Sequence, residues 1–167
     1  MIRIGFSKDV HPLKEGEKFI LGGLEIEHYK GSTGYSDGDC LLHAIAESML
    51  GALGLGDLGK FFPDDNPKYK DYDSKLILEE VYNYASGKGY EISNLDCMVS
   101  LEKPKLSPYV KNMKKIIGQI LKCDTKFISI KATTHEGLGF VGEEKGIICE
   151  AIVLIEKSDF ILDWIKK

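Results

Sequence analysis

The chain has 167 residues, the length of one domain able to bury roughly 70% of the surface its unfolded form exposes. Its 43% hydrophobic and 29% charged content are ordinary for a globular protein, and a net charge of -4 gives no footprint for general nucleic-acid binding. Four scattered cysteines form no C-x-x-C pair, no basic-plus-apolar leader precedes Arg3, and no apolar run approaches the ~20 residues of a membrane span. The expectation is a soluble, cytoplasmic protein in a reducing compartment, with no nucleic-acid or membrane partner.

The predicted elements follow in chain order. Ile2 to Ile4 opens a strand, and Lys18 to Leu21 and Leu24 to His28 flank Gly22-Gly23 as a hairpin. Asp39 to Leu53 carries helical spacing. A long loop punctuated by Pro63, Asp64, Asp65, Asn66 and Pro67 leads to a second helix from Ser74 to about Ser86, stopped by Gly87 and Gly89. Tyr90 to Leu101 reads as a strand, Ser107-Pro108 starts a third helix reaching about Leu121, and Phe127 to Lys131 and Ile147 to Ile155 complete the strands. Strands separated by helices predict an α/β (α+β layer type) fold: a mixed sheet with helices packed on one face. The opposite sheet face then needs cover, which another subunit can provide.

Asp9 and His11 stand two apart, so on a strand they point to one face, and His43 follows Ser36-Asp37-Gly38-Asp39 from the first turns of the first predicted helix. Two imidazoles and a carboxylate suit a divalent ion, and three protein ligands leave a tetrahedral zinc one open position, as catalytic sites do. Asp39, His43 and Glu47 recur every four residues, which makes Asp39 and Glu47 candidates to orient a metal-bound imidazole. Gly54-Leu55-Gly56-Asp57-Leu58-Gly59 matches G-x-G-x-x-G, yet it closes a helix rather than following a strand, so it is not a dinucleotide fingerprint. Its glycines end the helix and leave Asp57 free to accept from a ligand hydroxyl pair. Lys103-Pro104-Lys105-Leu106-Ser107-Pro108 leads into a helix N-terminus whose amides, with Lys105, suit a nucleotide or simply form a connection. Ala132-Thr133-Thr134-His135-Glu136 sets hydroxyls and a carboxylate together, a mix suited to phosphate oxygens and a hard ion such as magnesium, or an ordinary strand end.

Together these blocks resemble the 2-C-methyl-D-erythritol 2,4-cyclodiphosphate synthase family over residues 1 to about 156. The matching residues are Asp9-Val10-His11, Ser36-Asp37-Gly38-Asp39 with His43, Leu55-Gly56-Asp57-Leu58-Gly59-Lys60 with Phe62-Pro63-Asp64, Pro104-Lys105, and Lys131-Ala132-Thr133-Thr134 with Glu136, Gly139-Phe140 and Gly146-Ile147. The resemblance implies a homotrimer around a threefold axis, with active sites between subunits and a cytidine diphosphate substrate. It implies zinc on Asp9, His11 and His43, and magnesium or manganese near Glu136. Catalytic roles fall to Thr134, Glu136, Ser36 and Asp39. Substrate contacts fall to Tyr35, Ser36, Asp57, Gly59, Phe62, Asp64, Pro104, Lys105, Leu106, Ala132, Thr133 and Thr134. The implied reaction closes a cyclic diphosphate and expels CMP; a zinc phosphohydrolase and a non-catalytic cytidine-nucleotide-binding relative are the alternatives.

The chain departs from the family's usual pattern at three places. Tyr35 stands where a His usually precedes Ser-Asp-Gly-Asp, Ser7-Lys8 stands where Gly-Phe or Gly-Tyr precedes Asp-x-His, and Glu143 and Lys145 reverse the usual Arg and Glu. Tyr35 can donate to a phosphate but carries no imidazolium charge. Glu143 and Lys145 are expected to pair between subunits, and Glu143 would repel a diphosphate at the axis. His28 and His135 are expected to face solvent, away from the metal. Residues 157–167 form a C-terminal extension in which Phe160, Ile161, Trp164 and Ile165 fall on one face of a short amphipathic helix expected to dock on the protein itself.

Overall fold

In a computed structural model, residues 1–157 are described. The expected helix at 158–167 lies outside the described residues. Strand β1 (Ile2–Glu15) is a single run of 14 residues rather than a short opening strand. Its polarity is inverted: Ile2, Ile4, Phe6 and Val10 are exposed while Gly5, Ser7 and Leu13 are buried. Because strand side chains alternate, the face of β1 toward the core offers Gly5, Ser7, Asp9 and His11, and its apolar set points the other way.

Strands β2 (Phe19–Leu21) and β3 (Leu24–Ile26) form the expected hairpin, and β4 (Lys30–Ser32), too short to show a period in sequence, pairs with β1. Helices α1 (Cys40–Leu53) and α2 (Ser74–Gly87) sit where their spacing predicts. Strands β5 (Tyr90–Ser100), β6 (Ile128–Thr133) and β7 (Gly146–Lys157) complete a five-stranded sheet of order β4-β1-β7-β5-β6, with β5 and β6 parallel and every other pair antiparallel. The third helix, α3 (Val110–Ile120), bridges the parallel pair, and α4 (Gly139–Gly142) is a single turn before β7. α3 begins three residues later than expected from Ser107, after a turn at 107–109 in which the amides of Tyr109 and Val110 both donate to the Leu106 carbonyl. Those amides are therefore not free for a nucleotide.

Helices α1, α2 and α3 all lie on one sheet face. The mixed α/β layer fold with helices on one face is thus observed, and among the described residues no helix is long and apolar enough to cross a membrane. β7 runs down the middle with Ile147, Cys149, Ala151, Val153 and Ile155 all fully buried beneath α1. α1 is buried almost all round and ends at Gly54 in the left-handed conformation, φ 71°, which a glycine adopts without a Cβ penalty.

Gly5 is what lets α1 lie so close. A Cβ there would sit 1.8 Å from the Ser48 carbonyl oxygen and 2.6 Å from the Ala52 amide nitrogen, both of them backbone atoms. Gly5→Ala is therefore expected to force strand and helix apart at a cost of roughly 2–3 kcal/mol. Thermal melting checks it, and an unchanged transition would contradict this packing.

All four cysteines are free. Burial pushes the Cys97 thiol up to about 12, drives fully buried Cys149 well above its ordinary value and raises Cys40 as well. Cys123 is only half-buried, though burial and Asp124 raise it too. Since the thiolate is the reactive form, a disulfide reagent at about pH 8 is expected to label at most Cys123 in the folded protein and all four after unfolding. Rapid labelling of a second thiol in the native state would show that α1 opens from the sheet.

Candidate metal centre and adjoining pockets

Asp9 and His11 project from the inner face of β1, and α1 brings His43 over them from its first turn. Asp9 Oδ2 lies 3.0 Å from His11 Nε2 and 3.3 Å from His43 Nδ1, and the two ring nitrogens are 3.4 Å apart. Zinc binds nitrogen and oxygen at about 2.0–2.2 Å, and tetrahedral ligands at that radius stand about 3.3 Å from one another. The triangle has the dimensions that such an ion requires. Asp9 Oδ2 is also a buried oxygen left, among the described residues, without a hydrogen bond although it sits beside both imidazoles. An orphaned buried carboxylate oxygen is costly unless a cation takes it, so the donor set fits a divalent metal.

The electrostatics agree. Burial alone would raise the Asp9 carboxyl, but the adjacent His11 and His43 outweigh it and hold Asp9 well below the usual carboxylate range. Burial would lower His11, yet Asp9 and the Gly38 carbonyl, 3.0 Å from its Nδ1, raise it overall. With His11 Nδ1 engaged by that backbone carbonyl, Nε2 is the atom turned to the metal position.

The triad opens into a cleft of about 340 Å³ that also exposes Tyr35, Ser36, Glu47, Gly59, Phe62, Asp64 and Tyr69. Sequence reasoning had Tyr35, Ser36, Gly59, Phe62 and Asp64 among its site residues, and the fold gathers all five here. Tyr69 joins them by packing edge-on against Phe62 at 5.3 Å, a neighbour that no motif marks. Asp57 stands exposed at the cap of the turn Leu58–Lys60, one oxygen accepting from the Lys60 amide at 3.0 Å.

Asp39 does not belong to this site. It is fully buried as the N-cap of α1, accepting from the amides of Leu42 and Gly22 at 3.0 Å and of Gly23 at 2.6 Å. Burial pushes its carboxyl up against the pull of these amides. The expected catalytic or imidazole-orienting role for Asp39 is therefore corrected: it ties the β2–β3 turn to the helix start. Glu47 does not orient an imidazole either, because its oxygens accept from the Ser7 hydroxyl at 2.7 Å and the Leu58 amide at 3.4 Å. What touches the far nitrogen of His43 instead is a pair of hydroxyls, Ser36 at 2.9 Å and Ser74 at 2.8 Å. His28 and His135 stand outside the triad as expected, but both are half-buried rather than solvent-facing, His28 packing edge-on against Tyr29 at 4.7 Å.

A second pocket of about 200 Å³ is lined by Leu101, Glu102, Pro104, Lys105, Leu106, Ser107, Ala132, Thr133 and Thr134. It joins the Pro104-Lys105 and Ala132-Thr134 blocks, which the sequence reads as two separate clusters. Thr134 donates to Glu136 at 2.5 Å, and Glu102, missed in sequence, accepts from the His135 amide at 2.7 Å and so braces this loop. Lys103 is anchored to Glu144 at 2.9 Å, and Tyr29 donates to the same carboxylate at 2.6 Å. Leu106 borders the pocket while its side chain is buried in the core. Asp9 pairs with Cys149, Cys149 with Val99 and Val99 with Ala132, so three strand spacings of about 4.8 Å, about 14 Å, separate the triad's strand from this pocket's.

Glu143 and Lys145 pair within the chain at 2.5 Å, both exposed. An exposed pair of this kind contributes about 0–1 kcal/mol.

Comparison with known proteins places this geometry in context. The sequence matches the YgbB family over residues 2–156. It is 49% identical over 159 residues to the 2-C-methyl-D-erythritol 2,4-cyclodiphosphate synthase of Shouchella clausii (strain KSM-K16), covering 95% of this chain and 100% of that one. Among solved structures, the fold superimposes on IspF of Plasmodium falciparum in its CDP complex with a TM-score of 0.82 and 38% identity, covering 93% of this chain and 96% of that chain. It also matches the bifunctional IspDF of Campylobacter jejuni with a TM-score of 0.90 and 35% identity over 94% of this chain, which spans 42% of that longer protein.

Proposed function

Since this chain belongs to the YgbB family, we propose that it converts 4-diphosphocytidyl-2-C-methyl-D-erythritol 2-phosphate to 2-C-methyl-D-erythritol 2,4-cyclodiphosphate and CMP, a lyase step of non-mevalonate isoprenoid biosynthesis. The observation that carries the reading is the Asp9, His11 and His43 triangle with its open side on a cleft lined by Tyr35, Ser36, Phe62 and Asp64. When bound, zinc at this triad and magnesium or manganese near Glu136 would neutralise and orient phosphoryl oxygens as Lewis acids.

The remaining work belongs to the chain's own side chains. An oxygen of the 2-phosphate attacks the phosphorus next to the methylerythritol, and the bond to the CMP oxygen breaks. A phosphomonoester has its second pKa near ~6, so at neutral pH the nucleophile is already charged and no side chain need take a proton. Catalysis is then positioning and stabilisation of developing charge. Ser36 and Tyr35 donate hydroxyls into the metal cleft, Thr134 turns its hydroxyl from Glu136 to the diphosphate, Phe62 and Asp64 border the methylerythritol, and Asp57 and Gly59 meet the ribose. Pro104, Lys105, Leu106, Ala132 and Thr133 form the cytosine slot.

The strands that carry the two pockets stand about 14 Å apart in one chain. Assembly as a homotrimer would set one subunit's slot against its neighbour's metal cleft. The uncovered sheet face supports it: Ile2, Ile4, Phe6, Val10 and Ile152 are each between 43% and 67% exposed, an apolar set that water disfavours. Incubating the protein with the cytidine substrate and zinc and following phosphorus NMR tests the function. Cyclic diphosphate plus CMP is expected, whereas hydrolysis products or unchanged substrate would overturn it.

A further inference from the structure

Two hydroxyls converge on one nitrogen of His43. Ser36 Oγ is 2.9 Å and Ser74 Oγ 2.8 Å from Nε2, and an imidazole nitrogen carries at most one proton. Which hydroxyl accepts that proton is settled by what stands behind each. Ser74 is fully buried at the first position of α2, its amide donating to Asp37 Oδ2 at 3.1 Å and its hydroxyl to Asp37 Oδ1. Asp37 is held in turn by the Asp39 amide at 3.2 Å. The Ser74 proton is thus committed to a carboxylate, so toward His43 Ser74 offers only lone pairs. Among the described residues Ser36 has no carboxylate behind it: its oxygen accepts from the Gly38 amide at 3.4 Å and stands at the long distance of 3.5 Å from Ser74 Oγ, so its proton can turn toward the cleft that it lines.

From this geometry we infer that Ser74, backed by Asp37, is a positioning residue that keeps the His43 proton on Nε2 and its bare Nδ1 on the metal, leaving the Ser36 hydroxyl to donate to a substrate phosphoryl oxygen. The inference rests on the reading of Asp9, His11 and His43 as a metal site. Outer partners of this kind fix the ring orientation and tautomer of a ligating histidine, and their loss typically weakens metal binding 10–100-fold. The arrangement also couples the metal to the start of α2, some thirty residues on in sequence, through a hydroxyl that no metal-binding motif contains.

The test is zinc affinity of the full-length protein, measured by competition with a chromophoric chelator for the wild type, Ser74→Ala and Ser36→Ala. Ser74→Ala is expected to bind zinc roughly 10–100-fold more weakly, and Ser36→Ala to match the wild type. Equal affinity for wild type and Ser74→Ala, or a larger loss in Ser36→Ala than in Ser74→Ala, overturns the inference. Nitrogen-15 NMR of the zinc-loaded wild type gives a readout that needs no variant: a His43 Nε2–H proton protected from exchange is expected, and an unprotonated Nε2 would reject the assignment even if Ser74→Ala failed to fold. A wild type that binds no zinc at all would instead defeat the metal reading on which the inference stands.

Discussion

Replacing His43 with alanine is expected to abolish stoichiometric zinc binding and to lower turnover by at least roughly 10²–10³-fold, the loss that follows removal of one preorganised charge stabiliser. The fold should survive. His43 stands on the cleft side of α1, and the buried packing of that helix rests on Leu41, Leu42, Ile45 and Met49, which the change does not touch. Metal analysis of the purified variant is the deciding measurement, and one zinc per chain retained would sink the assignment. Alanine variants of His28 and His135, which lie outside the triad, should keep their metal.

The same site predicts a pH signature. Although burial works to lower it, His11 has a raised pKa in the folded protein because of Asp9 and the Gly38 carbonyl, so a proton competes with the metal for its Nε2 above the ordinary value of 6.5. Without metal, the stabilisation from protonated His11 is present below 6.5 and is lost as pH rises through the raised folded value. Metal binding needs the neutral ring and changes in the opposite sense. The gap in melting temperature between zinc-loaded and metal-free protein should therefore widen as pH rises through the His11 pKa. A gap that narrows would show that His11 is not a ligand.

Asp39→Ala is expected to be the most destabilising single change near the site while leaving every ligand atom in place. Loss of the helix cap costs about 1 kcal/mol. The amides of Gly22 and Gly23 lose the same carboxylate, and each buried donor left unmade costs about 1–3 kcal/mol. The total, roughly 3–7 kcal/mol, is a large part of the 5–15 kcal/mol that holds a domain together. At about 2–4 °C per kcal/mol for a chain of this size, melting should fall by roughly 6–28 °C. Had Asp39 served catalysis, the variant would instead lose turnover with its melting intact, so the two measurements together separate the roles.

How far the sequence could be read depended on whether a residue's partner lay nearby along the chain. The triad was legible because Asp-x-His on a strand and a His one turn into a capped helix are local patterns, and the helix spacings of α1 and α2 placed those elements within a residue or two. The extent of β1 was not legible, since its core-facing positions are Gly5, Ser7, Asp9 and His11 and its apolar positions face outward. Asp39 showed the limit most clearly. The sequence set it in register with His43 and Glu47 on one helical stripe, but an N-cap side chain folds back over its own helix end, and here it meets a hairpin 16 and 17 residues earlier.

By itself, then, the sequence determined the ligand chemistry, the helices and the blocks that carry the family resemblance, because each is fixed by residue type and short spacing. Only the tertiary structure decided that Asp39 is spent on backbone amides and that Ser74 stands behind His43. It likewise decided that the strand of the metal triad and the strand bordering the Lys105 pocket stand about 14 Å apart across the sheet. Those facts depend on which distant backbone and side-chain groups compete for the same oxygen or nitrogen. That competition exists only once the sheet has ordered its strands as β4-β1-β7-β5-β6 and α1 has settled onto Gly5.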